Sequence, residues 1–301
     1  MDHTQIIASL PATTRASLNQ RSDVAGLVHL ALHLGLIALL SLGIVLRVPL
    51  WWVLLPLQGV ALVFLFTLEH ECTHRTPFAK DWLNESVGHL CGLVLLLPFI
   101  WFRYFHLAHH KYTHVPGMDP ELAGAPIKTR ANWLRHVSGV PFWLANMRLL
   151  GQLALRRAKA PYLPSRAAGR MQAEALMMLG IYALALASLW FSSAMLWLWI
   201  IPVLLGQPML RLYLLAEHGD CPQVANMLEN TRTTFTTRLV RFLAWNMPYH
   251  AEHHSLPQVP FHQLPQLHKL MRQHLGRTSD GYIAFNRDYL ARRTPESTPP
   301  S

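Results

Sequence analysis

The chain has 301 residues, of which 51% are hydrophobic and only 14% charged, and its mean hydropathy is +0.20. An ordinary soluble domain carries about 25% charged residues, so this composition excludes a typical water-soluble enzyme. The net charge of +10 could suit nucleic acid, but the placement of the basic residues points to a membrane and to no nucleic-acid partner.

Residues 1–23 start on a polar segment without the basic flank and short apolar core of a signal peptide, and are expected to form a cytoplasmic tail. Residues 24–46 carry no charge, and neither do residues 48–68. Each run is long enough for one helix across a bilayer core about 30 Å thick. Between Glu174 and Arg211 lie 36 uncharged residues, which suit two spans at roughly 174–192 and 195–213, turning near Ser192 and Ser193. A further uncharged run, 86–102, has 17 residues and includes Gly88, His89, Gly92 and Pro98. It is expected to be an interfacial or re-entrant segment.

The basic residues then set the orientation. The first hairpin loop holds only Arg47 and the second holds none, so the remaining Lys and Arg fall in the tail, the 69–174 loop and the C-terminal region. The positive-inside rule places those three segments, and both termini, in the cytoplasm. Within the long loop, residues 131–158 mix Trp133, Phe142, Trp143, Met147 and Leu150 with Arg135, Arg148, Arg156 and Arg157. That mixture predicts a basic amphipathic helix, lying on the bilayer or packed on the protein. Residues 24–287 are expected to form the membrane domain, and the tail 288–301 is expected to be disordered.

Nine of the 18 histidines fall in four short stretches, each just beyond an apolar run: His70 and His74; His106, His109 and His110; His218; and His250, His253 and His254. Histidine beside hydrocarbon is costly, and metal binding is the commonest reason to keep it there. On a helix, residues three and four apart share a face. HxxxH therefore offers two imidazoles to one side, and each HxxHH offers three. One zinc takes about four ligands, so this number points to two metal ions. His114, Asp119 and Glu252 are candidates for supporting roles, because ligating histidines donate their second N–H to a carboxylate or carbonyl. His29, His33 and His89 are expected to be explained by packing or local hydrogen bonds. His3, His136, His262, His268 and His274 are expected at the surface. Cys72, Cys91 and Cys221 lack zinc-ribbon spacing and are expected to be reduced.

The sequence His70-Glu71-Cys72-Thr73-His74 has the HExxH spacing of a zincin, but one zinc does not account for nine histidines, and two redox metals explain the ligand count better. A metal transporter is a further alternative, but it would place ionisable groups in mid-span. Here His29 and His33 are the only candidates, and no acid accompanies them.

The three boxes, in this order around two hairpins, resemble the integral-membrane fatty acid desaturase and hydroxylase superfamily, most closely its bacterial desaturase-type members. The flanks add to the resemblance: Phe105 to His114 with Asp119-Pro120-Glu121, Asn230-Thr231-Arg232-Thr233, Trp245 to His254, and Val259 to Pro265. It implies an all-α membrane protein with four transmembrane helices in two hairpins and a cytoplasmic helical cap that holds a histidine-rich di-metal site. It implies two iron ions, O2 as co-substrate, and a separate electron donor of ferredoxin, rubredoxin or cytochrome b5 type. Its ligands carry over to the nine histidines above, and the di-iron centre itself would be the catalyst. Where several desaturases have an Asn four residues before the isolated ligand, this chain has Leu214. The implied activity is desaturation of a fatty acyl chain in lipid metabolism, in the bacterial inner membrane. Hydroxylation or ketolation of an alkane, carotenoid or other hydrophobic molecule is the alternative on the same fold.

Overall fold

The structure is a computed structural model and describes residues 2–294. It is almost wholly helical and divides into two compact units. Among the described residues the first comprises 22–106 and 139–210; the second comprises 2–21, 107–138 and 211–294. Four helical stretches are long and apolar enough to cross a membrane: Ala12–Val45, Trp51–His74, Ser165–Ser188 and Leu196–His218.

In the first unit, Ser22 caps the helix Asp23–Val45 by accepting the Ala25 N–H at 3.2 Å. This helix turns many of its leucines outward, Leu27, Leu32, Leu34, Leu39 and Leu42 among them. A surface of that kind needs lipid rather than water around it. The next span is two helices, Trp51–Val63 and Leu65–His74, broken at Phe64. Left-handed Arg75 (φ 60°) ends it directly after His74. The spans beginning at Trp51 and Leu196 touch backbone to backbone. A Cβ on Gly206 would lie 2.3 Å from the Gly59 carbonyl, so only glycine fits there.

The short uncharged run becomes the helices Asp81–Leu95 and Phe99–Tyr112, which meet at 99°. Left-handed Leu96 makes the corner, and Pro98 begins the second arm. Glu174 fixes that second arm. Its carboxylate accepts the Phe99 and Ile100 N–H groups, each at 3.0 Å, and pairs with His89 Nδ1 at 2.6 Å. An acidic group on the first N–H groups of a helix satisfies donors with no partner inside the helix.

The predicted helix over 131–158 is in fact two, Arg130–Val137 and Val140–Ala154, because Gly139 adopts φ 71° between them. The second buries Leu150 and Leu153 with Met171, Ala175 and Met178 of the helix Ala168–Ser188.

In the second unit, the expected N-terminal tail is folded. His3–Ser9 and Ala12–Leu18 are short helices, with Ile6 and Leu18 buried. A parallel pair, Thr233–Thr234 with Thr278–Ser279, lies among helices that include His250–Ser255 and Leu264–Met271. Order also extends past Asp288: helix Tyr282–Ala291 runs through it, and Thr294 bridges to Thr129. The rest of the expected disordered tail, residues 295–301, lies outside the described residues.

Candidate metal centre

Each unit gathers its own histidines. In the first, His70 and His74 share a face of the helix Leu65–His74, and His106 comes from the helix Phe99–Tyr112. His70 and His106 have ring centroids 4.1 Å apart, and His74 Nε2 lies 2.9 Å from His106 Nε2. One ring nitrogen from each of the three falls within 4.8 Å of the others. Phe66 stacks on His70 and Phe102 packs on His106, which walls the group with apolar rings.

In the second unit, His109, His218 and His254 likewise bring ring nitrogens within 4.8 Å of one another. His218 Nε2 lies 3.2 Å from His109 Nε2 and 3.2 Å from His250 Nε2. His110 stacks on His254 at 4.0 Å and meets His253 edge-on at 4.9 Å. The three box histidines of the helix His250–Ser255 are all buried.

The opposite ring nitrogens are held by the protein. His109 Nδ1 donates to Asp119 Oδ1 at 2.9 Å. His218 Nδ1 donates to the Asn230 carbonyl at 3.2 Å. His254 Nδ1 lies 3.3 Å from Thr113 Oγ1, whose own proton goes to the His109 carbonyl. His250 Nδ1 is 3.5 Å from Glu217 Oε1. The bonds to His109, His218 and His254 fix those tautomers and turn their Nε2 lone pairs inward, as ligating imidazoles require. His254 Nε2 is buried with no hydrogen-bond partner, and burial followed by its histidine neighbours holds the ring well below its ordinary pKa, hence neutral. Two facing nitrogens can share only one proton, so converging neutral imidazoles are better matched by a metal ion. An all-imidazole donor set suits iron, copper, nickel or zinc, and the residues fit a nitrogen-ligated transition metal.

The supporting residues fall into different roles. Burial pushes the Asp119 carboxyl up, but His109 and the backbone N–H groups of His114 and Glu121 outweigh it and hold it below the carboxylate range. His114 lies at φ 61°, sends Nδ1 to the Pro222 carbonyl at 3.1 Å, and stays outside the converging groups. Glu252 lies inside its box, yet it accepts from Thr233 Oγ1 at 2.5 Å and from His268 Nδ1. His268 is therefore no surface residue: it is half-buried and stacked on Tyr249 at 4.6 Å. His89 and His33 stay outside the converging groups and are hydrogen-bonded, as expected, although their partners are distant in sequence: Glu174 for the first and the Ala61 carbonyl, at 2.9 Å, for the second. Glu174, Thr113 and His268 escaped the sequence reading. Only Thr113, four residues after His109, carried a helical-spacing signal. The three cysteines are free thiols.

Residues 47–286 match the fatty acid desaturase family. The sn-1 oleoyl-lipid 12-desaturase of Picosynechococcus sp. is 40% identical over 103 residues, 33% of this chain and 27% of that protein. The sn-1 oleoyl-lipid 12-desaturase of Synechocystis sp. is 24% identical over 269 residues, 81% of this chain and 74% of that protein. The sn-1 acyl-lipid omega-3 desaturase (ferredoxin) of Nostoc sp. is 35% identical over 65 residues, 22% of this chain and 17% of that protein. The chain thus spans about a quarter of the first of these relatives and three quarters of the second. With four apolar helices and a family match over most of its length, this membrane protein belongs to the fatty acid desaturase family.

Proposed function

We propose that this desaturase-family protein inserts a double bond into the acyl chain of a membrane lipid, using O2, two iron ions and a separate electron donor. The observation that carries the reading is the convergence of buried imidazole nitrogens whose opposite nitrogens are held by Asp119, Asn230 and Thr113. The ligands we assign are His70, His74, His106, His109, His110, His218, His250, His253 and His254. Irons bound there would supply the oxidising power to take hydrogen from an unactivated C–H bond, which side chains alone cannot do. The reaction removes two hydrogens from the chain and, with two electrons and two protons from the donor side, reduces O2 to two waters.

The protein's own part is binding, orientation and exclusion of water. Asp119 holds His109 by its Nδ1 proton, and the Asn230 carbonyl holds His218 in the same way. Phe66 and Phe102 shield His70 and His106. Burial of most box histidines keeps bulk water from the place where the chain reacts. The distribution of Lys and Arg supports cytoplasmic termini and boxes in a bacterial inner membrane. The oleoyl-lipid and acyl-lipid desaturases among its relatives support an acyl-lipid substrate, and the one named for ferredoxin supports a donor of that type.

The test is lipid mass spectrometry on cells expressing the protein with a ferredoxin system, against cells carrying His253→Ala. An acyl chain lighter by two mass units, absent in the variant, is expected. A gain of sixteen would replace desaturation by hydroxylation, and the same product from the variant would remove His253 from the ligands.

A further inference from the structure

Buried side-chain amides in this fold generally find partners. Asn84 Nδ2 donates to the Phe78 and Lys80 carbonyls, and its Oδ1 accepts the Phe78 N–H. Gln58, on the second span, donates from Nε2 to Ser41 Oγ at 2.9 Å and to the Leu198 carbonyl, while its Oε1 has no partner. Gln207, on the fourth span, is the contrast. It is fully buried, and neither its Oε1 nor its Nε2 has a hydrogen-bond partner. A buried amide left this way is destabilising, so such a residue calls for a reason.

Its surroundings supply one. The Gln207 side chain packs on Gly139, where a Cβ would lie 2.3 Å from Gln207 Cγ. Gly139 opens the helix Val140–Ala154, and the buried face of that helix runs through Trp143, Asn146, Leu150 and Leu153. Spacings of four and seven residues put Gly139, Trp143 and Asn146 on one face. Trp143 Nε1 and Asn146 Nδ2, both in side chains at least nine-tenths buried, also lack partners. Three buried donor groups with unused hydrogens therefore occur on one short face and the residue packed at its start. The indole and both amides are uncharged, so the group they match is a neutral acceptor. A carbonyl oxygen fits, and an ionised phosphate or carboxylate would want a cation. His218 follows Gln207 by eleven residues on the same helix, so a ligand held here lies along an element that leads to the metal centre.

We propose that Gln207, Asn146 and Trp143 form a binding site for the carbonyl oxygen of the acyl substrate. The proposal rests on the acyl-lipid reading above and assigns the residues that would grip the substrate's polar end. A lipid ester and a thioester both carry such a carbonyl, and the test separates the two.

Purified full-length protein without metal is reconstituted with oleoyl phosphatidylglycerol carrying 13C at the ester carbonyl, and infrared difference spectra are recorded. A parallel sample contains oleoyl thioester labelled at the same carbon. The expected result is a 13C-carbonyl band lowered in frequency by hydrogen bonding, seen with one of the two probes and lost in both Gln207→Leu and Asn146→Leu. These substitutions lie on different helices, so one misfolded variant does not decide the outcome. With metal and donor restored, each variant should raise the apparent KM about tenfold and leave kcat within about twofold, as expected for uniform binding. A wild type without a lowered band for either probe overturns the site. So does a band that persists in both variants while their melting temperatures rise, which would mark the amides as unmet polar groups only. A band that depends on both residues, in a protein that makes no desaturated product, supports the site and counts against the reaction instead.

Discussion

Asp119 joins His109 to the turn that follows its helix: Oδ1 takes the His109 Nδ1 proton at 2.9 Å, and Oδ2 takes the His114 backbone N–H at 2.8 Å. One carboxylate thus orients an imidazole and ties down the left-handed residue after the helix. Asp119→Ala should lower metal affinity about 10–100-fold, the usual cost of losing such a partner. Asp119→Asn, which keeps an acceptor oxygen, should lose less. Iron per protein under a competing chelator is the measurement, and equal retention by Asp119→Ala and wild type would remove the carboxylate from the design.

Glu174 should matter to stability more than its sequence position suggests. Its replacement by alanine leaves the Phe99 and Ile100 N–H groups and His89 without their acceptor. Each orphaned buried donor costs about 1–3 kcal/mol, so Glu174→Ala should melt several degrees below wild type in detergent. Glu174→Gln, with one acceptor oxygen left, should fall between them. An unchanged melting curve for Glu174→Ala would show that the bent arm is held by something else.

The contact of Gly59 with Gly206 leaves no room for a side chain. Gly206→Ala puts a methyl 2.3 Å from the Gly59 carbonyl, and Gly59→Ala puts one 2.0 Å from the Pro202 carbonyl. Overpacking typically costs about 1–3 kcal/mol. Gly35, with nothing within 4 Å of its Cβ position, is the control. The monodisperse fraction on size exclusion should drop for the first two variants and stay level for Gly35→Ala.

Acid should loosen the second unit through His136. Burial, with the Arg211 charge adding to it, lowers this imidazole to about 4 from 6.5. Between those values the unfolded chain holds the proton and the folded chain does not. Stability is therefore full above about pH 6.5 and falls as the pH drops toward about 4. Denaturant midpoints at pH 7.5 and 5 should differ less for His136→Gln than for wild type.

The sequence made the four spans and the histidine boxes legible for two separate reasons. Uncharged runs longer than the bilayer core admit little but a helix, and HxxHH is a facial pattern that helix geometry converts directly into convergence. The path of the chain between them was less visible. Gly139, at φ 71°, breaks one predicted helix into two where it packs closely on Gln207, a residue far away in sequence. His268 read as a surface histidine because its partner, Glu252, sits inside a box that seemed to need it elsewhere. Glu174 read as the edge of a span, yet its acceptors serve a corner more than seventy residues earlier in the chain. Each miss is a contact between residues distant in the chain, and spacing along the chain carries no trace of those.

The helix Phe99–Tyr112 carries His106 and, one turn further on, His109, each in a different converging group. Two groups of imidazoles thus share a single rod, clamped at its start by Glu174. An ion captured by either group stiffens the rod for the other, so the second should bind more tightly than the first. Titration of the empty protein should then run from bare to doubly filled with few singly loaded molecules. A cell short of metal would hold a mixture of complete and inert protein rather than a uniform half-loaded pool.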